Sequence, residues 1–173
     1  MIILGIDPGY AIVGYGALAA KNGVFRSLCY GAVTTDASDN FSKRISIIYD
    51  SMKEILEKIN VDALAIEKLY FQNNQKTAIC VAEARGVILL SAQKARVPVF
   101  EYTPLQVKTA VTGYGKAKKP QVMQMTKRLL NLKEMPKFDD TADALAIAIC
   151  HAQTSGARFC ATMIGGRSKT NVL

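Results

Sequence analysis

Two acidic residues, Asp140 and Asp143, stand three positions apart at the start of an apolar, alanine-rich segment, residues 144–149. On a helix, residues with this spacing share a face, so the pattern predicts two carboxylates side by side while the apolar residues pack inward. Two carboxylates held close together repel each other unless a cation lies between them, and this arrangement suits a hard divalent metal ion. The structural alternative is that Asp139 and Asp140 serve only as a helix cap and a first-turn acid. One Asp is enough for a cap, however, and Asp143 lies too far into the helix for that purpose.

Two further acidic residues each follow an apolar run that is typical of a buried strand. Asp7 follows residues 2–6, and Glu67 follows residues 63–66. Together with the helical pair they would supply only oxygen ligands, and such a set selects Mg²⁺ or Mn²⁺ over zinc or copper. Two such ions about 3.5 to 4 Å apart cleave phosphodiesters, because one activates water while the other stabilises the leaving oxygen. The four carboxylates therefore predict a catalytic site with two Mg²⁺ ions, for which Mn²⁺ could substitute.

The composition of the chain restricts its class. Its 173 residues, 50% of them apolar, fit a single domain with a sizeable core. A net charge of +8 indicates a polyanionic partner, because such a surplus attracts phosphate backbones. The four cysteines are widely spaced, which is typical of free thiols in a reducing compartment, and no apolar stretch approaches the ~18 residues needed to cross a bilayer. We therefore expect a cytoplasmic protein that does not enter a membrane.

The first part of the chain predicts an antiparallel sheet that continues into a parallel pair. Three strands are expected at residues 2–7, 12–20 and 24–35, with an Asn22-Gly23 hairpin between the last two. Gly14 and Gly16 interrupt the second strand, which indicates either a bulge or the close approach of another backbone or a ligand.

An amphipathic helix follows over residues 41–59, with Lys43 and Arg44 on its polar face. The next strand, residues 61–67, is reached by the kind of crossover that makes neighbouring strands parallel. If it pairs with the first strand, Asp7 and Glu67 emerge at the same carboxyl edge, where the ligand sites of α/β sheets collect.

The remainder predicts a helix at 75–96, a strand at 97–103, a helix that begins with a capping box at 103–106 and ends near Gly113, and a further amphipathic run at 122–132. The expected class is α/β, with a mixed five-stranded sheet of three antiparallel strands followed by parallel strands, flanked by helices. We expect one domain over residues 1–155 and a flexible basic tail over residues 156–173. The helix at 75–96 is apolar on more than one side, so it is the expected interface of an oligomer.

Six motifs are distributed over the predicted elements. They are LGIDPG at 4–9, AIE at 65–67, EARGV at 83–87, PVFEY at 98–102, QVK at 106–108 and DTADALAIA at 140–148. Together they resemble the RuvC family of bacterial Holliday-junction resolvases over residues 1 to about 153. The resemblance implies a ribonuclease H-like fold, a homodimer, and Mg²⁺-dependent symmetric nicking of four-way DNA junctions in homologous recombination and DNA repair. It also implies cooperation with the branch-migration proteins RuvA and RuvB, and the same four catalytic carboxylates.

The resemblance and the charges also suggest residues that contact DNA. Lys108 and Lys119 fall where the family places basic residues important for the reaction and for DNA. Tyr70 falls where the family often has Phe and is followed here by Phe71, so either aromatic residue could contact the junction, or both could belong to the core.

Phosphate contacts are also expected from the segment at 113–120. Its lysines, Lys116, Lys118 and Lys119, stand beside two glycines that permit close approach to a phosphate, although a solvated turn is the alternative. Arg85 is a further candidate. Some relatives place His at the first position of the helical acidic pair, where this chain has Asp140.

Three other functions compete with this interpretation. Residues 5–9 also resemble the phosphate loop of actin-like and sugar-kinase-like ATPases, but those proteins need two such domains and a second nucleotide motif. A junction-binding protein without catalysis is disfavoured by four intact carboxylates. A ribonuclease H-like nuclease that acts on RNA or on hybrid duplexes is compatible with the same catalytic residues.

Overall fold

The computed structural model describes the backbone of residues 1–69 and 75–165, and the side chains of residues 1–69 and 77–155. The strands are β1 (Ile2–Asp7), β2 (Ile12–Lys21), β3 (Val24–Thr34), β4 (Ala63–Glu67) and β5 (Val99–Tyr102). The helices are α1 (Phe41–Lys58), α2 (Gln75–Lys94), α3 (Pro104–Thr112), α4 (Lys119–Leu129) and α5 (Asp139–Gly165). None of these helices combines the length and the hydropathy needed to span a bilayer, within the residues described.

The five strands form one mixed sheet in the order β3-β2-β1-β4-β5. The strands β1, β2 and β3 are antiparallel neighbours, while β4 pairs in parallel with both β1 and β5. Asn22 and Gly23 both have positive φ angles, of 52° and 77°, as a tight hairpin turn between twisted strands requires. The predicted α/β class, the strand types and the hairpin are therefore confirmed.

Helices cover both faces of the sheet, and the alternation along β1 divides the core between them. Leu4 and Ile6 pack with α1 and α2 in one hydrophobic cluster, whereas Ile3 belongs to the cluster formed with α3, α4 and α5. Successive side chains of a strand point to opposite faces, so a continuous apolar strand serves both layers. The strand β1 accordingly lies at the centre of the sheet, between β2 and β4.

The backbone of α5 lies unusually close to the sheet because glycines face it. A Cβ added to Gly5 would collide with the carbonyl oxygen of Ala144, and one added to Gly14 would collide with that of Asp140. At Gly16 an added Cβ would lie 2.6 Å from a methyl carbon of Leu145. The interruption of β2 therefore marks a close approach of another backbone, one of the two predicted explanations, while the register shift of β2 lies beyond these glycines, between Ala17 and Leu18.

The ends of several elements differ from their predicted positions. The capping box of α3 is confirmed, because Thr103 Oγ1 accepts from the Gln106 N–H at 3.1 Å and Gln106 Oε1 accepts from the Thr103 N–H at 2.8 Å. By contrast, α4 begins at Lys119 and not at residue 122. The helix α5 continues to Gly165, beyond residue 155 where the sequence loses its apolar period. The cysteines within the described residues, Cys29, Cys80 and Cys150, are free thiols as predicted.

Candidate active site

The acidic residues predicted from the sequence converge at one edge of the sheet. Asp7 and Glu67 end the parallel neighbours β1 and β4, which are paired up to Ile6 and Ile66. Asp7 also pairs across the antiparallel ladder with Gly14, the glycine on which the backbone of Asp140 rests. The sheet register and the glycine contact thus bring the first turn of α5 over the end of β1.

One hydroxyl group fixes the start of α5 on the sheet. Thr141 Oγ1 donates a hydrogen bond of 2.9 Å to the carbonyl oxygen of Gly31 on β3, and the Thr141 side chain is buried. Because Thr141 lies between Asp140 and Asp143, this contact sets the rotation of the helix and hence the direction of both carboxylates. We refer to Asp7, Glu67, Asp140 and Asp143 together as the carboxylate centre.

The pKa values in the carboxylate centre record burial and mutual repulsion. Burial raises the pKa of Asp7 to about 8, and the negative charges of Glu67, Asp143 and Asp140 add to the increase. Burial and the charge of Asp143 raise the pKa of Glu67, while burial raises that of Asp143 itself, with Asp139 and Asp140 adding repulsion. Carboxylates that disfavour one another's ionised form are stabilised by a shared cation.

Lys119 supplies a cation to this edge in the structure. Its Nζ lies 3.0 Å from Asp143 Oδ2 and 3.4 Å from Asp139 Oδ2. Burial opposes the charged form of Lys119, but the hydrogen bond and charge of Asp143, with those of Asp139, raise its pKa on balance. The charge of Lys108, on α3, also lowers the pKa of Glu67. Two lysines predicted to assist the reaction therefore face the carboxylates.

The chemistry of the four carboxylates fits a hard divalent ion, although their side chains are not arranged around a single metal position. Among the described residues, no three His, Cys, Asp or Glu side chains converge closely enough to hold a metal ion as they stand. The carboxylate centre nevertheless offers only oxygen donors, from two strand ends and one helix, and burial together with the charges of the other carboxylates raises the pKa of Asp7 to about 8. Oxygen donors with excess negative charge are the set that Mg²⁺ and Mn²⁺ prefer.

A short loop between α3 and α4, residues 113–118, carries two of the predicted phosphate-binding residues. Lys116 and Lys118 are both exposed on it. The loop begins at Gly113, whose left-handed φ of 75° ends α3, and it closes with a hydrogen bond of 3.1 Å from the Ala117 N–H to the Tyr114 carbonyl oxygen. We call this segment the lysine loop. Its two flanking helices carry Lys108 and Lys119, so it adjoins the carboxylate centre.

The remaining predicted DNA contacts are Arg85, Tyr70 and Phe71. Arg85, on α2, is largely buried and pairs through Nη2 with Glu101 Oε1 of β5 at 2.6 Å. Its predicted contact with phosphate remains a prediction. Tyr70 and Phe71 lie outside the described residues.

For two residues near the site, Asp139 and Arg44, the contacts in the structure differ from those predicted from the sequence. Asp139 was considered as a helix cap, yet it shares Lys119 with Asp143. The spacing of Asp139 and Asp143 indicated that these two side chains are neighbours, because residues four positions apart on a helix share a face, but it gave no information on Lys119.

Arg44 was placed on the polar face of its helix, but the structure shows it buried. Its Nε donates to Thr35 Oγ1 at 2.8 Å, and its guanidinium lies 3.5 Å from the centre of the Tyr10 ring. Arg44 therefore packs against the turn that follows Asp7. A helical pattern alone did not reveal this burial, because the long aliphatic stem of arginine tolerates both environments.

Comparisons with known proteins agree with this architecture. The family model described as "Crossover junction endodeoxyribonuclease RuvC" matches residues 3–151. A protein of that name from Clostridioides difficile is 52% identical over 167 residues, covering 96% of this chain and 99% of the relative.

Among solved structures, the chain also matches proteins of this family. The structure of Thermus thermophilus RuvC has a TM-score of 0.85 and 35% identity, covering 91% of this chain and 97% of that chain. T. thermophilus RuvC in complex with a Holliday junction substrate gives a TM-score of 0.87 and 36% identity, covering 91% and 96%. The fold is therefore ribonuclease H-like, as the resemblance implied, and these matches favour that resemblance over the actin-like ATPase alternative.

Proposed function

The chain belongs to the RuvC family of crossover junction endodeoxyribonucleases, and we propose that it resolves four-way DNA junctions by symmetric, Mg²⁺-dependent hydrolysis of phosphodiesters. The observation that carries the proposal is the convergence of Asp7, Glu67, Asp140 and Asp143 at one sheet edge, where burial and mutual repulsion raise the pKa of Asp7. We infer that it acts in the cytoplasm, because homologous recombination and DNA repair supply the junctions there.

The carboxylate centre would hold two Mg²⁺ ions, with Mn²⁺ as a substitute, and these would activate water and stabilise the leaving oxygen. Lys108 and Lys119 would add positive charge to the site. Lys119 is paired with Asp143 and Asp139 in the structure, so its ammonium group is already positioned beside the carboxylates that a scissile phosphate must approach. Lys108 lies close enough to lower the pKa of Glu67. Both lysines would orient the phosphate and offset its charge.

The remaining DNA contacts follow from exposure and charge. Lys116 and Lys118 project from the lysine loop into solvent and would bind phosphates on either side of the scissile one. Tyr70 and Phe71 are proposed to stack on bases at the junction, and Arg85 to add a phosphate contact if it exchanges its partner Glu101.

We propose that the chain acts as a homodimer, because a junction with twofold symmetry is cut on two related strands. The exposed side of α2 supports this arrangement, since Ile79 and Leu90 keep at least half of their surface in solvent. Gly86 lies between them with no neighbour within 4 Å of an added Cβ, which leaves room for a second helix. RuvA and RuvB are proposed as partners on family resemblance alone.

A charge on this face of α2 tests the dimer. Leu90→Glu should produce monomers in light scattering at micromolar concentration, because a buried unpaired carboxylate is costly at an interface. Val24→Glu is the matched control, since Val24 is exposed on the edge strand β3, and it should leave the mass unchanged. A parent protein that is monomeric yet makes paired cuts would contradict the proposal.

The function itself is tested by substrate and metal together. A synthetic four-way junction, a matched duplex and an RNA–DNA hybrid are each incubated with Mg²⁺, with Mn²⁺ or with EDTA. We expect paired, symmetric nicks in the junction alone, and only with a metal ion. Preferred cutting of the hybrid would instead indicate a ribonuclease H-like enzyme, and tight junction binding without any nicks would indicate a binding protein.

A further inference from the structure

Tyr114 is an exposed aromatic residue that the proposed mechanism does not use. It lies in the lysine loop, and 58% of its surface is accessible to solvent. Lys116 and Lys118 follow it closely on the same loop and are also exposed. An exposed aromatic ring among lysines is the combination with which proteins bind nucleic acid without reading its sequence, since the ring stacks on bases while the lysines follow the phosphates.

Hydrogen bonds fix the Tyr114 backbone through both its N–H and its carbonyl group, although the residue is exposed to solvent. The Tyr114 N–H donates to Thr112 Oγ1 at 3.2 Å, and Thr112 Oγ1 donates to the Lys108 carbonyl oxygen at 2.8 Å. On the other side, the Tyr114 carbonyl oxygen accepts from the Ala117 N–H at 3.1 Å. A fixed backbone lowers the entropy that is lost when a side chain binds a ligand. The ring is therefore presented ready for contact.

The next glycine also restricts the loop. A Cβ added to Gly115 would lie 3.1 Å from Thr109 Oγ1 and closer still to the side chain of Leu105. The loop is thus packed onto α3, which also carries Lys108 close to Glu67. The backbone that carries the Tyr114 ring is consequently packed onto the same helix that brings Lys108 close to the carboxylate centre.

We propose that Tyr114 stacks on a nucleobase exposed at the crossover of a four-way junction. The inference rests on the proposed function. In a continuous duplex, both faces of each base are covered by its neighbours, so a protein ring finds an accessible face only where stacking is interrupted. The crossover is such a place, and there Tyr114 favours junctions over duplexes, whereas Lys116 and Lys118 bind both through phosphates.

The absence of tryptophan from the chain permits a direct test. In Tyr114→Trp, the introduced indole is the only tryptophan, and stacking on a base quenches its fluorescence. Titration in EDTA with an unlabelled junction should quench the emission with the same midpoint as binding measured by anisotropy. A duplex of equal length should quench it far less at equal occupancy. Tyr30→Trp is the matched control, because Tyr30 is also an exposed tyrosine but lies on β3, and its emission should not respond.

Two further variants separate stacking from a hydrogen bond of the phenol. Tyr114→Ala should weaken junction affinity roughly 5- to 150-fold, the range expected for loss of one stacked base, and should change duplex affinity little. Tyr114→Phe should bind the junction as the parent does, because the ring is retained. Thermal unfolding of all variants should match the parent, since the ring is exposed.

Each contrary result has a distinct meaning. Equal quenching by duplex and junction, or loss of affinity in Tyr114→Phe, would overturn the stacking contact while leaving the proposed function intact. Binding by the parent without any response in Tyr114→Trp would do the same. Failure of the parent itself to bind the junction would overturn the proposed function and this inference with it.

Discussion

In the carboxylate centre every acidic side chain comes from a regular element, and the four residues that precede Asp7 and Glu67, 3–6 and 63–66, are buried. The lysine loop is the opposite case, since it joins two short helices and exposes Lys116 and Lys118 to solvent. Burial makes the carboxylates costly to ionise, as the raised pKa of Asp7 records, whereas exposed ammonium groups keep their hydration. On the proposed function, catalysis would depend on the buried carboxylates of regular elements, and DNA affinity on exposed lysines whose charges stay hydrated.

Lys119 connects the two regions. It begins α4 directly after the lysine loop, yet its ammonium group pairs with Asp143 and Asp139 at the start of α5. In the absence of a metal ion this lysine offsets part of the carboxylate repulsion. Variants in the carboxylate centre should therefore affect mainly cleavage, and variants in the lysine loop mainly binding.

The largest effect is expected from Asp143→Asn. The amide keeps the size of the side chain and one acceptor oxygen but removes a charge from the carboxylate centre, so the variant should bind a metal ion more weakly while retaining the fold. Junction cleavage in Mg²⁺ should fall by roughly 1000-fold or more, because misplacing the attacking water removes most of the catalysis. Junction binding in EDTA should hold or tighten, because less negative charge faces the phosphates. Cleavage within a few-fold of the parent would show that Asp143 is not a ligand.

The next effect concerns the stability of the metal-free protein. An Asp ionises near pH 3.8 when unfolded, but Asp7 keeps its proton up to about pH 8 when folded. Between these values the folded state binds the extra proton, so its stability is highest at the acidic end and is lost as the pH rises towards 8. The raised pKa values of Glu67 and Asp143 act in the same direction. In EDTA the free energy of unfolding should fall by a few kcal/mol across this window.

Thermal unfolding in EDTA between pH 5 and 9 measures this loss. Asp7→Asn should show a flatter profile and should exceed the parent in stability at pH 8, because its amide has no charge to bury. Mg²⁺ should restore the stability of the parent at pH 8 by binding the ionised carboxylates, but should restore that of Asp7→Asn much less. Identical pH profiles for the two proteins would show that Asp7 does not control the effect.

A smaller effect is expected when the lysine loop loses its charge. The double variant Lys116→Ala and Lys118→Ala should weaken junction binding roughly 10- to 100-fold at low salt and reduce the slope of log affinity against log salt by up to about 2, because two fewer phosphates are neutralised. Lys21→Ala with Lys133→Ala is the control, since it removes the same charge from residues exposed elsewhere on the surface. An unchanged slope in the loop variant would make these lysines ordinary surface charge.

The extent to which the sequence predicted the structure also differs from one contact to another. Asp7 and Glu67 were predictable because an apolar run fixes a strand and its last residue fixes the sheet edge. Asp140 and Asp143 were predictable from helical spacing. The burial of Arg44 and the pairing of Arg85 with Glu101 were not, since each depends on which helix face meets which strand. Local periodicity carries no information on such long-range contacts. The Lys119 contact with Asp139 likewise joins residues 20 positions apart.

Asp139→Asn should produce the smallest effect, and it tests the connection between the two regions. Asp139 is exposed and lies 3.4 Å from Lys119 Nζ, whereas the partly buried Asp143 lies at 3.0 Å. The amide removes the weaker of the two partners, and an exposed ion pair contributes little, about 0 to 1 kcal/mol. Cleavage at saturating Mg²⁺ should therefore stay within a few-fold of the parent, as a control for Asp143→Asn. Junction binding should change equally little, or tighten slightly, because Lys119 then has one fewer carboxylate to leave before it contacts a phosphate. A collapse of cleavage in Asp139→Asn, with binding retained, would place Asp139 within the carboxylate centre and show that the wrong acidic pair on α5 had been chosen.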